Sequence, residues 1–161
     1  MKVGILMGSK NDYGVVQKAE EVLDSFGVEY TTRIISAHRT PTAADEFSKG
    51  AEDDGIEVII CAAGKSAHLA GVIAANTPLP VIALPIKTSM MGGLDSLLSM
   101  VQMPKGIPVA CVAVDGAENA GLLAVQIMGG KHPELREAMR VYKAKMEQDI
   151  IAEDQKFREE K

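Results

Sequence analysis

The sequence predicts a flavodoxin-like three-layer α/β/α sandwich around a five-stranded parallel sheet in the order 2-1-3-4-5, with a long helix at the C-terminal end. Three observations carry that reading: five short apolar runs, stretches of helical spacing between them, and a length of 161 residues, which suits one domain. The runs are nearly continuous in apolar character rather than alternating, as strands covered on both faces are. Strict alternation of strand and helix makes the crossovers right-handed and distributes helices over both faces. Five strands in this length fit that order better than a six-stranded dinucleotide fold.

The first run, Val3 to Met7, breaks at Gly8-Ser9 and is followed by Val15, Ala19, Val22, Leu23 and Phe26 at helical spacing. A second buried strand, Tyr30 to Ile35, precedes Ala43, Ala44, Phe47 and Ala51. The third, Val58 to Ala62, leads into Leu69, Val72 and Ile73; the fourth, Val81 to Leu84, into Leu94, Leu97, Leu98 and Val101. After the fifth, Val109 to Val114, come Ala120, Leu123, Ala124 and Ile127. The last helix runs from Pro133 to Arg158, and its apolar positions Leu135, Met139, Tyr142, Met146 and Ile150 form a stripe that needs a partner surface. A single domain of residues 1–161 already has its layers covered, so this helix is expected to pack on a neighbouring subunit. No repeat, low-complexity tract or linker interrupts the chain.

Hydrophobic residues make up 47% and charged residues 24%, while aromatics supply only 4% and Trp is absent, so the core must be aliphatic. Seventeen Lys and Arg against 22 Asp and Glu give a net charge of -5, the wrong sign for general binding to nucleic acid or anionic membranes. Any anionic ligand must be held locally. Cys61 and Cys111 sit inside apolar runs, which reads as buried, unreactive thiols without a disulfide framework. The apolar opening is too short for a signal peptide and no segment is long enough to span a bilayer, so a cytoplasmic protein is expected.

In open parallel sheets ligands bind beyond the carboxyl ends of the strands, where strand order reverses. Four loops emerge there: Gly8 to Asp12, Ser36 to Pro41, Ala63 to His68, and Lys87 to Gly93. The first and third flank the crevice and the second lies beside it, so His38 and His68 approach one cleft. Gly8-Ser9 at a strand-to-helix turn can present N–H groups and a hydroxyl to phosphate, or can serve simply as a turn and cap. Asp12 fits an N-cap, or an acceptor for a ribose diol, since a carboxylate set on phosphate would repel it. Arg39 offers the bidentate fork that phosphate recognition wants, or is a solvated helix-start arginine. His38 lies in a polar loop where a titrating role is plausible; His68 opens an apolar helix, where a structural histidine is the default; His132 reads as a capping or surface residue.

Gly64-Lys65-Ser66 resembles the end of a Walker loop, but the glycine that should stand five positions earlier is Ile59. No Rossmann glycine fingerprint is present, and two loop histidines without a Cys or carboxylate cluster make a poor metal site, so no cofactor and no metal are implied. A non-enzymatic nucleotide-sensing or receiver module on the same fold would want an acidic cluster where Gly8-Ser9 stands and a phospho-accepting Asp where Ala62-Ala63-Gly64 stands. A flavin carrier would want aromatic rings, and only Tyr13 lies near the cleft loops.

The stretches Met7-Gly8-Ser9-Lys10-Asn11-Asp12, Ser36-Ala37-His38-Arg39-Thr40-Pro41, Ala67-His68-Leu69 and Asp95 to Pro104 together resemble the N5-carboxyaminoimidazole ribonucleotide mutases of purine biosynthesis. The similarity runs from Lys2 to about Gly129. It implies migration of a carboxyl group from the exocyclic nitrogen of an aminoimidazole ribonucleotide to its ring carbon, without ATP, metal or biotin. It further implies a homo-octamer with active sites at subunit boundaries, which agrees with the unpaired helical stripe. By resemblance, Ser9, Asp12 and Arg39 match nucleotide-binding residues, with Asn11 in the same loop and Ser36 nearby at the phosphate. His38 matches the proton-transfer residue, and His68 joins it as a second catalytic candidate. The segment Gly64, Lys65, Ser66, Ala67, His68, Leu69 matches the loop that closes around the carboxylate. The chain departs from the usual pattern at Asn11, Lys65, Ser66 and Ala70, where Ser, Gly, Ala and Pro are common. Lys65-Ser66 is similar to the loop of the sister aminoimidazole ribonucleotide carboxylases, which take CO2 directly, but those carry Lys where this chain has Arg39.

Overall fold

The computed structural model describes all residues, Met1–Lys161. Five parallel strands, β1 (Lys2–Met7), β2 (Glu29–Ile34), β3 (Val58–Ala63), β4 (Val81–Pro85) and β5 (Ala110–Cys111), form one sheet in the order β2-β1-β3-β4-β5. Val3 stands opposite Tyr30 on one side and Val58 on the other, and Ile59 opposite Val81. The expected topology is therefore the one found. Six helices connect and cover the strands: α1 (Tyr13–Ser25), α2 (Pro41–Gly50), α3 (Leu69–Asn76), α4 (Leu94–Val101), α5 (Ala117–Met128) and α6 (Pro133–Glu159).

Alternation along the central strands divides the interior into two cores. Val58, Ile60 and Ala62 of β3, with Val3, Ile5, Ile82 and Leu84, pack against Val16, Ala19 and Leu23 of α1 and Ala120 and Ala124 of α5. Ile59, Cys61 and Ala63, with Leu6 and Ala83, face Ala44 and Phe47 of α2, Leu69, Ala70 and Ile73 of α3, and Met100 of α4. Each strand residue thus contributes to one layer or the other, which is why the runs read as continuously apolar. The helices α1 and α5 approach so closely that a Cβ at Gly121 would stand 3.0 Å from Val22 and 3.1 Å from the Ala19 carbonyl. Cys61 lies wholly inside, and burial pushes its thiol far above the ordinary range; burial also raises the partly exposed Cys111.

Two expectations need correction. The second run is not a buried strand: β2 is an edge strand, half-exposed or exposed throughout, and begins one residue earlier, at Glu29. Its apolar character ends in Ile35, which is buried just past the strand and donates its N–H to the Met7 carbonyl at 2.9 Å. The fifth strand keeps only Ala110 and Cys111 of the six residues expected. Lying at the other edge, it has β4 as its sole partner, and the chain peels away as Asp115 N–H turns back to the Pro85 carbonyl. In α4 the apolar stripe faces outward: Leu94, Leu98 and Val101 are exposed, while Ser96 and Met100 are the residues that turn inward.

The stripe of α6 starts on its own domain and then leaves it. Leu135 and Met139 are buried and Tyr142 leans on Phe26 with ring centroids 5.8 Å apart, whereas Met146 and Ile150 are 52% and 65% exposed. At the root of this helix, His132 makes no capping bond. Its Nε2 instead lies 2.9 and 2.8 Å from the two carboxylate oxygens of Glu57, which also receives Lys131 Nζ at 3.2 Å and has the chain's amino terminus at 3.8 Å. Burial opposes ionisation of Glu57, but the hydrogen bonds and charges of His132 and Lys131 outweigh it and hold its carboxyl below the ordinary value of 4.5. A carboxyl depressed in the folded state stabilises above its unfolded pKa, and that contribution is lost as pH falls through the folded pKa. The urea midpoint is accordingly expected to drop as acidification passes below about pH 4.5, and Glu57→Gln to flatten that part of the pH profile. No helix is long and apolar enough to cross a membrane.

Candidate active site

Beyond the carboxyl ends of β1, β2, β3 and β4 opens a cleft of about 580 Å³. The first loop enters it from β1. Ser9 accepts the Asn11 N–H on its hydroxyl at 3.2 Å and so caps the single 3-10 turn Lys10–Asp12. Asp12 precedes α1 yet makes no capping bond, which leaves its carboxylate free to line the cleft. Burial first, and repulsion from Asp115 second, raise the Asp12 carboxyl above its ordinary value, with a backbone hydrogen bond at Ser9 working the other way.

The second loop is wound on itself. Thr40 donates its N–H to the Ser36 carbonyl at 2.8 Å and accepts the Ser36 N–H on its hydroxyl at 2.9 Å. This closes the turn that presents His38 and Arg39. Arg39 reaches across to the first loop, donating from Nη2 to the Gly8 carbonyl at 2.6 Å and from Nε to Ser36 Oγ at 3.3 Å. The guanidinium thereby bridges the Gly8 carbonyl and the Ser36 hydroxyl, and it lines the same cleft as Ser9.

The third loop brings His68 to the start of α3, and the two nominated imidazoles meet. His38 Nε2 lies 2.9 Å from His68 Nδ1, with ring centroids 5.0 Å apart and the rings edge to face at 85°. One of those nitrogens donates and the other accepts, the roles being set by the tautomer of each ring. His68, exposed at the start of α3, makes no capping bond to its own helix and spends its Nδ1 on this contact with His38. Lys65 takes a left-handed backbone conformation, φ 59°, at the position where glycine is common, which supplies a reason for glycine there.

Of the nominated residues, Ser9, Asn11, Asp12, Ser36, His38, Arg39, Gly64, Lys65, Ser66, His68 and Leu69 all line this one cleft. Ala67 does not: it is fully buried and packs into the core beneath the loop. The fourth loop, which the sequence places beyond the strand ends without singling out a site residue in it, also lines the cleft with Lys87, Thr88 and Ser89, next to Ile86 at the end of β4. Their position directly after the fourth strand was the available signal. Asp115 had none; it arrives from the end of β5 and accepts the Lys87 N–H at 2.8 Å. Arg39, Lys65 and Lys87 form no ion pair with any protein carboxylate. Three unpaired cations thus face one carboxylate, Asp12, so the cleft suits an anion although the chain as a whole is negative. No three His, Cys, Asp or Glu side chains converge as a metal site requires.

Fold and cleft define a flavodoxin-like α/β protein whose one cleft gathers two imidazoles and three unpaired cations at the carboxyl ends of its strands. A family model described as AIR carboxylase matches residues 2–149, and the chain belongs to that family. It is 50% identical over 156 residues to the N5-carboxyaminoimidazole ribonucleotide mutase of Thermotoga maritima, covering 97% of this chain and 91% of that protein. To the mutase of the same name from Pyrococcus horikoshii it is 56% identical over 148 residues, covering 92% and 84%. The crystal structure of Treponema denticola PurE superposes with a TM-score of 0.88 at 35% identity, covering 96% of this chain and 97% of that one.

Proposed function

We propose that this chain is an N5-carboxyaminoimidazole ribonucleotide mutase of purine biosynthesis, an isomerase that moves the carboxyl group from the exocyclic nitrogen to the ring carbon without ATP. The observation that carries the reading is the hydrogen-bonded His38–His68 pair beside the Arg39 guanidinium in a single cleft.

Arg39, with Ser9 and Ser36, grips the substrate's phosphate through charge-assisted hydrogen bonds. Asp12 accepts from the ribose diol. With the tail anchored, the aminoimidazole lies toward the imidazole pair. His38 protonates the carbamate nitrogen, the N–C bond breaks, and CO2 and the neutral aminoimidazole result. The electron-rich ring carbon attacks the same CO2, and His38, now a base, removes the ring proton, which restores both aromaticity and its own starting state. His68, bonded to His38 through Nδ1, fixes which nitrogen of His38 carries the proton that moves. Lys65 and Lys87 attract the carboxylate before and after migration. Retaining CO2 matters, because a well-oriented confined reactant attains effective molarities of about 10⁵–10⁸ M. Gly64 presents no side chain there, and a Cβ at that position would touch Thr88 at 3.4 Å.

The protein acts in the cytoplasm as a homo-octamer with its clefts at subunit boundaries. Support for the assembly is the exposed half of the α6 stripe together with Leu94, Leu98 and Val101 of α4, two apolar faces that nothing in the chain covers. The sister activity, direct carboxylation of aminoimidazole ribonucleotide, is disfavoured by Arg39. Isotopically labelled carbamate substrate offered with unlabelled bicarbonate and no ATP decides between them. Label kept on the ring carbon is expected; activity with aminoimidazole ribonucleotide and CO2 but none with the carbamate would assign the carboxylase instead.

A further inference from the structure

Ser96 lies in the first turn of α4 and is completely buried although it is polar. Its hydroxyl accepts the backbone N–H of Lys65 at 2.9 Å and donates to the Ile86 carbonyl at 2.8 Å, so it links the third loop to the end of β4. One turn on, Ser99 Oγ stands 2.7 Å from the Asp95 carbonyl and 3.2 Å from the Lys65 carbonyl. One helix therefore meets both the N–H and the C=O of Lys65, the residue whose left-handed backbone is unfavourable for a side chain. From Lys65 the chain passes to His68 through a tight turn, with Ala67 N–H on the Lys65 carbonyl and His68 N–H on the Ser66 carbonyl, each at 2.9 Å.

We propose that Ser96 is a positioning residue for the reaction: assisted by Ser99, it holds Lys65 left-handed, and so sets His68 against His38 and keeps the cleft floor closed over released CO2. The proposal rests on the mutase reading of the site. Without the hydroxyl, the Lys65 N–H and the Ile86 carbonyl lose a shared partner inside the protein. Lys65 then relaxes toward a commoner backbone conformation, and the turn carrying His68 swings with it.

Ser96→Ala and Ser99→Ala test this with the full-length protein, each checked for folding by circular dichroism. Two readouts serve: incorporation of labelled bicarbonate into product from unlabelled carbamate, and titration of the His38 and His68 ring nitrogens by ¹⁵N NMR without substrate. For Ser96→Ala, kcat falls about 10- to 100-fold, as a displacement near 1 Å can cause. KM stays within about twofold, because the phosphate grip is untouched. Labelled carboxyl appears in the product, and the ring-nitrogen titration of the two imidazoles departs from that of the wild type. A folded Ser96→Ala with wild-type kcat, carboxyl retention and imidazole titration overturns the proposal. Should Ser96→Ala fail to fold, Ser99→Ala, a half-buried position, decides by the same criteria with a smaller change. If the wild-type protein does not convert the carbamate at all, the mutase reading fails, and the imidazole titration alone judges the positioning role.

Discussion

His38→Asn is expected to leave a folded protein with turnover reduced by at least about 10²–10⁴-fold, the range general acid–base catalysis supplies. The side chain is exposed and contributes to neither core, and its one hydrogen bond is to His68. Stability should therefore stay within about 0.5 kcal/mol, as for surface positions. Asparagine can keep a hydrogen bond to His68 but cannot take up and return a proton at neutral pH. His68→Asn should cost less, because His38 retains its own proton chemistry and loses only the partner that orders it. Parallel measurement of kcat and thermal midpoint for both variants separates these roles. Full activity in His38→Asn would remove this residue from the mechanism.

The parts of the molecule that were legible in the sequence are those where one physical demand dominates. β1 after its first residue, Lys2, and the whole of β3 and β4 are buried on both faces, so every position there is apolar and the strand is unmistakable. Edge strands answer to a weaker demand. β2 mixes Glu29, Thr31, Thr32 and Arg33 into its length because one side meets solvent, and β5 is short because the chain is bonded on one side only. In α4 the spacing identifies the helix but leaves the direction of its stripe open. Periodicity reports that a helix has an apolar face, not which body covers it, and in this helix the inward position Ser96 is polar because its hydroxyl is doubly bonded.

For the site, the tendency of ligands to gather at the carboxyl ends of strands in open parallel sheets is enough to bring three loops together from the sequence alone. What it could not supply was the contact between His38 and His68. They are 30 residues apart and come from the loops that follow two different strands. Nor could spacing reveal Asp115, whose effect on Asp12 runs through space from another strand. Ala67 was nominated through its place in a motif, but its small side chain is required by the core below the loop.

Arg39→Ala should raise KM for the ribonucleotide by about 10- to 10²-fold while changing kcat far less. A hydrogen bond to a charged group contributes about 1.5–3 kcal/mol, and about 1.4 kcal/mol corresponds to a tenfold change in affinity. The loss appears in KM because the phosphate is bound equally in ground and transition states and takes no part in bond making. Arg39→Lys separates charge from geometry. It keeps the positive charge but gives up the fork, and with it the simultaneous reach to Gly8 and Ser36 that ties the first two loops. An intermediate KM for Arg39→Lys, together with weaker inhibition by inorganic phosphate in both variants, is the expected pattern. If Arg39→Ala instead keeps KM and lowers kcat, the guanidinium acts on the reacting carboxyl group. The phosphate must then sit against Lys65 and Lys87, the other two unpaired cations of the cleft, which would reverse the direction in which the substrate lies across the imidazole pair.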